Sequence, residues 1–600
     1  MPLASPPAFG VVAGVLLLAG YFLYRATIPK PIPGIPYVAA SAMRAFGDVP
    51  DALNYHAKTS ETIAFLGQKC VELNSPIVQV FMRPFSRPWV VLMDSQESQD
   101  IMARRTRKFD RSEFFGDLLR ATMPHNQVSM KTTDQWRFNR RLMADTMSPQ
   151  FLHNVAGPQV HAQFCTLIDL WRTKADLAQG HPFDASEDIE GGMMDAIYAA
   201  AFGSSVGTTL AQSTLISSLQ KLDRLPTDPD VVAVFPQGPR PAVKDAITII
   251  ANSSEIPMTS PLGRWHHAFA LRYYPTINKA VKFKDQLVRE KLHAAWQKFT
   301  SADASADDIK CAADLIVERE VTLAKKQGRQ PQYDSLTVQD ELCGFLIAGY
   351  DTTATTIEWG VKYLTAHQGV QKKLRQSLKS VFTEAAENGK APTAVDVAKT
   401  STPYLDAVVE EVLRCGVSAA GTVRVATQDT EIFGHHIPKG TDVFMLVRPT
   451  RPPVPAQQCW LLLTKADLQI QGPSYTAPPL FVDEAKRSET SKQLPPEDRW
   501  TGTWDPTALD HFDPERWLVT NEKGEQSFDP QAGPMQTFGG GLRGCFGKKL
   551  ARLALRIVFT LIVWNLELQP LPEALKGFEA EDKVTHRPQK VFLRLKECAA

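Results

Sequence analysis

Cys545 is the residue best placed for chemistry. It lies in the run FGGGLRGCFG, residues 538–547, behind a glycine-rich turn and at the start of a helical pattern. A thiolate rather than a thiol binds metals, and orphan N–H groups with the positive end of a helix dipole favour it. Gly539, Gly540, Gly541 and Gly544 remove side chains where a flat cofactor needs close approach of the backbone. Arg543 adds a fixed cation suited to a carboxylate on that cofactor. A second set is Ala348-Gly349-Tyr350-Asp351-Thr352-Thr353. Small residues one turn before a hydroxyl let a ligand approach, and a Thr hydroxyl can bond the carbonyl four back and loosen the helix. An acid beside a hydroxyl suits proton delivery. Trp136 and Arg140 are spaced to share one helix face, as are Glu411 and Arg414. Taken singly, each set has a bland reading: an inert core cysteine, a Thr-rich patch, surface packing, a solvated ion pair.

The elements that must position these residues follow from periodicity. Leu550, Leu553, Ala554, Ile557 and Leu561 predict a helix with a buried stripe right after the cysteine. Thr337-Val338-Gln339-Asp340 reads as an N-cap, opening a long helix that runs to about Ala366. Thr402-Pro403 opens the helix of Glu411 and Arg414, with Pro at its first position. The runs 77–82 and 89–93 predict a hairpin around a turn at 83–88, followed by a helix from Ser95 to near the basic run 104–108. The stretch 114–123, with Phe114, Phe115, Leu118 and Leu119, is amphipathic. Residues 151–321 read as mostly helical, divided by proline-rich breaks at 226–229 and 236–241. Arg424 opens a strand, and 432–443 predicts a hairpin with Pro438-Lys439-Gly440 at its turn.

Composition sets the outer bounds. The chain has 600 residues, 44% hydrophobic and 22% charged, with a net charge of +1. That is an ordinary globular composition, and it lacks the basic excess of a nucleic-acid binder. The 8 cysteines form no CxxC pair, which fits a reducing compartment rather than a disulfide framework. Residues 8–24 carry no charge and are followed by Arg25 and Lys30. This predicts a short membrane span with the main body on the cytoplasmic side. No basic stretch precedes it, which argues against a cleaved signal peptide. Four prolines within 29–36 make a stiff spacer.

The pattern Phe-x-x-Gly-x-Arg-x-Cys-x-Gly, filled by Phe538, Gly541, Arg543, Cys545 and Gly547, resembles the haem-binding loop of the cytochrome P-450 family. The resemblance extends through Trp136/Arg140, Asp351/Thr352, Glu411/Arg414 and Arg516 in Pro514-Glu515-Arg516-Trp517, and so is nearly full-length. It implies a mainly α fold with a small β subdomain (α+β), preceded by a single N-terminal transmembrane helix. The implied layout is a tail at 1–7, an anchor at 8–24, a proline-rich hinge at 25–36 and a haem-thiolate catalytic domain at 37–600. Haem b is the implied cofactor, with Cys545 as the axial iron ligand. Trp136, Arg140, Arg424 and Arg543 are implied around its propionates. Asp351 is implied as proton relay and Thr352 as hydrogen-bond donor. Glu411, Arg414 and Arg516 form a buried structural network. The 114–123 stretch falls where the family places a substrate-contacting loop.

The implied reaction is monooxygenation of a small apolar substrate by O2, in fungal secondary metabolism. Electrons come from a membrane-bound NADPH-dependent flavoprotein reductase, since no flavin or dinucleotide fingerprint is present. Lys548, Lys549 and Arg552 are candidates for its docking face. The expected location is the endoplasmic reticulum membrane, with the catalytic domain in the cytoplasm. Two alternatives are a haem-thiolate isomerase or dehydratase that needs no external electrons, and a non-enzymatic, membrane-tethered haem sensor. One stretch departs from the family pattern. Residues 447–471, rich in proline, read either as a genuine loop or as a translated, unspliced intron. The intron reading rests on a GT-beginning Val codon at its start, a possible CAG for Gln471 at its end, and a branch-point-like sequence possible at Leu463-Thr464.

Overall fold

The computed structural model describes residues 6–260, 262–301, 304–446, 482–493, 504, 511–533 and 535–598, with the side chains of 6–13 and 306 outside the description. The stretch 447–471 therefore lies wholly outside the described residues. Helices with small β-sheets make up two compact units, so the expected class, mainly α with a smaller β part, is observed. Among the described residues, the first unit takes those up to Ser112, those from Gly421 to Leu446 and those of 482–493.

The first unit begins with α1 (Pro6–Thr27), which leaves Leu16, Leu17, Leu18 and Phe22 exposed. Among the described residues no helix is long and apolar enough to cross a membrane, so the expected span at 8–24 is not shown. The hairpin predicted around 83–88 is present: β1 (Ile77–Val80) pairs antiparallel with β2 (Trp89–Leu92). The next helix, α2 (Ser95–Ala103), is capped by the Asp94 side chain, which accepts from the Glu97 N–H. It stops at Ala103, and the end of the basic run leads into a strand that the sequence reading missed, β3 (Phe109–Arg111). Downstream come β4 (Gly421–Ala426), β5 (Thr430–Ile432), β6 (His435–Ile437) and β7 (Asp442–Leu446). The main sheet runs β1-β2-β7-β4-β3, with β2 parallel to β7 and the other pairs antiparallel. The hairpin predicted within 432–443 turns elsewhere. Its tip is Phe433-Gly434, not Pro438-Lys439-Gly440, and it joins β5 to β6. Both tip residues have positive φ, 50° and 71°, the conformation a tight hairpin turn requires.

The second unit, residues 113–420 and those beyond 500, holds α3 (Asp134–Met143), α4 (Gly157–Ala178), α5 (Ser186–Phe202), α6 (Leu336–Ala366), α7 (Pro403–Gly416) and α8 (Lys548–Asn565). Its core packs α6 with α5, α7 and α8, and α4 with α5 and α8. Phe164, Trp171, Trp359 and Phe559 are fully enclosed there. The apolar stripe predicted on α8 is buried as expected. A Cβ at Gly360 of α6 would lie 2.2 Å from Cζ of Phe559 on α8, so glycine lets the two helices touch. Helix α6 has 31 residues, about 46 Å at 1.5 Å per residue. Its N-cap is Ser335, whose side chain accepts from the Val338 N–H, rather than the expected Thr337. Ser and Thr offer the same capping hydroxyl, and the helix begins one half-turn earlier. A small antiparallel pair, β8 (Ala580–Asp582) with β9 (His586–Pro588), packs by α6.

Candidate active site

The loop ahead of α8 is held by its own backbone. Cys545 N–H donates to the Phe538 carbonyl at 2.8 Å, and Gly544 N–H to the Gly541 carbonyl at 3.0 Å. Gly539 and Gly541 have φ of 60° and 61°, values that favour glycine. Cys545 is the one exposed cysteine among the described residues. The backbone N–H groups of Gly547 and Lys548, orphan donors at the helix start, favour its thiolate. Burial by the loop pushes the thiol pKa up, although the residue keeps solvent contact. The two N–H groups, Arg140 and Lys548 pull the other way. A cation binding at sulfur would displace the proton that burial favours.

Helix α3 brings the aromatic–arginine pair to this loop. The Thr133 hydroxyl caps it by accepting from the Trp136 N–H at 3.2 Å. Trp136 is buried with the Arg543 guanidinium 4.5 Å and the Arg140 guanidinium 5.4 Å from its ring centre. Arg140 also lies 4.9 Å from the Phe546 ring. Trp136, Arg140, Arg543 and Cys545 are thus one cluster, as the sequence reading expects. Burial lowers the pKa of Arg140, while Cys545 and Glu341 raise it. Arg543 donates to the Met130 carbonyl at 2.8 Å and more weakly to that of Gln127. Glu341, on α6, accepts from Gln127 N–H at 2.6 Å, Gln127 Nε2 at 2.9 Å and Asn139 Nδ2 at 2.8 Å. The sequence reading missed Gln127, Asn139 and Glu341.

Most of α6 is buried, but Phe345, Ala348, Gly349 and Thr352 break the pattern. Ala348 is exposed and the other three are partly open. Their spacing puts them on one face. A helix face opened at Ala348, Gly349 and Thr352 leaves room for a flat group, and an accessible sulfur could bind its metal, so the residues present fit a haem. Thr352 Oγ1 donates to the Ala348 carbonyl at 2.7 Å, and Thr356 Oγ1 to the Thr352 carbonyl at 2.8 Å. The back-bonding predicted for this stretch is present. Asp351 Oδ2 accepts from Thr585 Oγ1 at 3.1 Å, and Thr585 lies 3.0 Å from the Thr355 hydroxyl. Burial raises the Asp351 pKa, against the pull of Arg587 and Thr585. Thr585 lies far along the chain, beyond any local pattern.

Glu411 anchors a network on α7. Its side chain is fully enclosed, and those of Arg414 and Arg516 are 10% and 7% exposed. Arg414 donates through Nε at 2.8 Å and Nη2 at 2.7 Å, and Arg516 through Nε at 3.2 Å. Trp517 Nε1 at 2.9 Å and the Asp513 N–H at 2.8 Å complete the ring of donors. Both arginines also donate to the His511 carbonyl at 2.9 Å. Of the candidate docking cations, Lys548 and Lys549 are exposed, whereas Arg552 donates to Glu410 at 2.8 Å and stacks on Phe538. In the first unit, Arg424 on β4 is buried and donates to Thr422 Oγ1 at 2.8 Å and the Val423 carbonyl at 3.0 Å. Burial lowers its pKa to about 10.

Comparison with known proteins agrees with this geometry. The Cytochrome P450 family profile matches residues 55–449 and 508–594. The chain is 39% identical over 594 residues to Cytochrome P450 monooxygenase GME11363 of Pestalotiopsis microspora, covering 98% of both chains. It is 34% identical over 606 residues to Cytochrome P450 monooxygenase TRI13 of Fusarium sporotrichioides, covering 97% of this chain and 98% of that relative. It is also 34% identical over 591 residues to Cytochrome P450 monooxygenase xilC of Penicillium rubens, covering 97% of this chain and 95% of that relative. On these grounds the chain belongs to the cytochrome P450 family, whose cofactor is haem b, and is a haem-thiolate enzyme of the monooxygenase type.

Proposed function

We propose that Cys545 is the axial thiolate of the haem and that the oxygen atom goes into a small apolar organic substrate. The observation that carries this reading is the exposed sulfur at the start of a helix, beside the Trp136–Arg140–Arg543 cluster. Haem supplies the oxygen-activating chemistry. The protein's residues do the rest. Arg140 and Arg543 bind the propionates as fixed cations. The open face of α6 would leave room for the cofactor. Asp351 is proposed as the proton relay and Thr352 as the hydrogen-bond donor, with the Thr585 hydroxyl donating to the Asp351 carboxyl and burial raising its pKa.

Electrons are proposed to come from a membrane-bound NADPH-dependent flavoprotein reductase, with exposed Lys548 and Lys549 meeting an acidic surface on it. The N-terminal helix is proposed to hold the protein in the endoplasmic reticulum membrane with the catalytic part in the cytoplasm. Its uncharged 8–24 run and the Arg25 and Lys30 that follow support this. Fungal sources of the three relatives support a role in fungal secondary metabolism. Reduced-carbon-monoxide difference spectroscopy tests the site. Wild-type protein gives the thiolate-type band, and Cys545→Ser abolishes it. A variant that keeps the band removes Cys545 from the iron.

A further inference from the structure

Glu341 is a carboxylate buried to 2% exposure, ten residues ahead of Asp351 on the same helix. Three N–H donors meet it within 2.9 Å, and Asn126 Nδ2 is a fourth at 3.4 Å. Four donors aimed at two oxygens favour the ionised carboxylate, against the burial that raises its pKa. The neighbouring turn adds to the dock. His125 N–H donates to Asp340 Oδ2 at 2.8 Å, and Asn126 Nδ2 donates to the Asp340 carbonyl at 3.0 Å. Gly344 makes this approach possible, since a Cβ there would lie 2.2 Å from Asn126 Nδ2.

Two of the partners lead to the arginine cluster. Asn139 stands next to Arg140 on α3, and its Nδ2 also donates to the His125 carbonyl at 2.6 Å. Gln127 lies in the segment whose carbonyls, at Gln127 and Met130, receive Arg543. Gln127 Oε1 in turn accepts from Arg140 Nη1 at 3.4 Å. The charge of Glu341 also acts on Arg140, alongside that of Cys545.

We propose that Glu341 is a positioning residue. Its ionised carboxylate ties the 125–130 segment and α3 to α6, and so sets both the place and the electrostatic field of Arg140 and Arg543. This rests on the reading of those arginines as propionate ligands. It makes haem retention and haem potential properties of a residue that touches no haem atom.

The test uses the haem-loaded full-length protein and Glu341→Gln, which keeps the shape but loses the charge and turns one acceptor into a donor. Two quantities are read: haem loss to an excess of apo-globin, and the midpoint potential by spectroelectrochemical titration. The expected result is haem loss faster by about ten-fold, the scale of supporting contacts around a metal site, together with a more positive midpoint, since a nearby negative charge is gone. Wild-type haem loss and a wild-type midpoint overturn the proposal. Faster loss with an unmoved midpoint also overturns it, because a merely structural contact would do the same. So does a moved midpoint with wild-type loss, because the tie is then absent. If Glu341→Gln yields no folded protein, Gln127→Ala, which keeps the charge, takes its place. Faster haem loss supports the tie, and unchanged loss overturns it. In every case the thiolate-type band of the wild type reports separately on Cys545.

Discussion

Glu411→Ala is the sharpest test of the claim that burial, not spacing, gives the α7 ion pair its weight. The substitution removes a side chain with no exposed area, the carboxylate that two guanidinium groups at 10% and 7% exposure both pair with. It also leaves the Trp517 indole N–H and the Asp513 N–H without their acceptor. Removing one partner of a buried pair costs about 3–5 kcal/mol, a large part of the roughly 5–15 kcal/mol that holds a domain folded. The control has the same spacing on the surface. Glu573 and Lys576 are also three apart, with side chains 65% and 38% exposed, and Glu573→Gln costs under about 1 kcal/mol. The assay follows the thiolate-type band of reduced, carbon-monoxide-treated protein against urea. Glu411→Ala is expected either to fail to accumulate with haem or to lose the band at much lower urea, while Glu573→Gln tracks the wild type. If Glu411→Ala keeps the wild-type midpoint, the network does not hold the region together.

Further expectations follow from other sites. Thr352→Ala keeps haem, and reducing equivalents appear as peroxide instead of product; full coupling in that variant removes Thr352 from the proton path. Gly360→Ala drives a methyl into the enclosed Phe559 ring and is expected to cost at least about 1–3 kcal/mol, seen as a lower melting temperature; a wild-type melting temperature refutes the tight contact. His267 is fully buried, with Nε2 3.0 Å from Ser253 Oγ, and burial lowers its pKa to about 4. With an ordinary value of 6.5 in the unfolded chain, that chain binds the extra proton between the two values, so this contribution is complete above pH 6.5 and is lost as pH falls toward 4. His267→Gln is expected to flatten the urea midpoint across that window, and an unchanged acid slope refutes the assignment.

The sequence showed the chemistry-bearing residues more clearly than their supports. The loop around Cys545, the Trp136–Arg140 pair and the Glu411–Arg414 pair were legible because each needs a fixed local spacing. Burial of Glu411 was not legible from spacing alone, since an i, i+3 pair reads the same at the surface, as Glu573 and Lys576 show. Only the downstream Arg516 and the family resemblance pointed to it. Thr585, Gln127 and Glu341 were illegible for a different reason. Each acts on a partner more than two hundred residues away, and no local pattern encodes such a pairing. Boundaries were lost to equivalent chemistry. Ser335 and Thr337 offer the same hydroxyl, and Phe433-Gly434 lacks the proline that drew attention to 438–440. The family match stops at residue 449 and resumes at 508, so the departure noticed at 447–471 falls almost entirely in its gap.

Cys545, the one exposed cysteine among the described residues, also gives the protein a built-in chemical reporter. Among the described residues the other thiols are buried or half-buried, so a reagent reaches Cys545 more readily than any of them. A brief pulse of an alkylating reagent on the porphyrin-free chain should therefore tag Cys545 first. Metallated protein should resist the tag at that peptide, so a digest read by mass spectrometry would count loaded molecules without any spectrum.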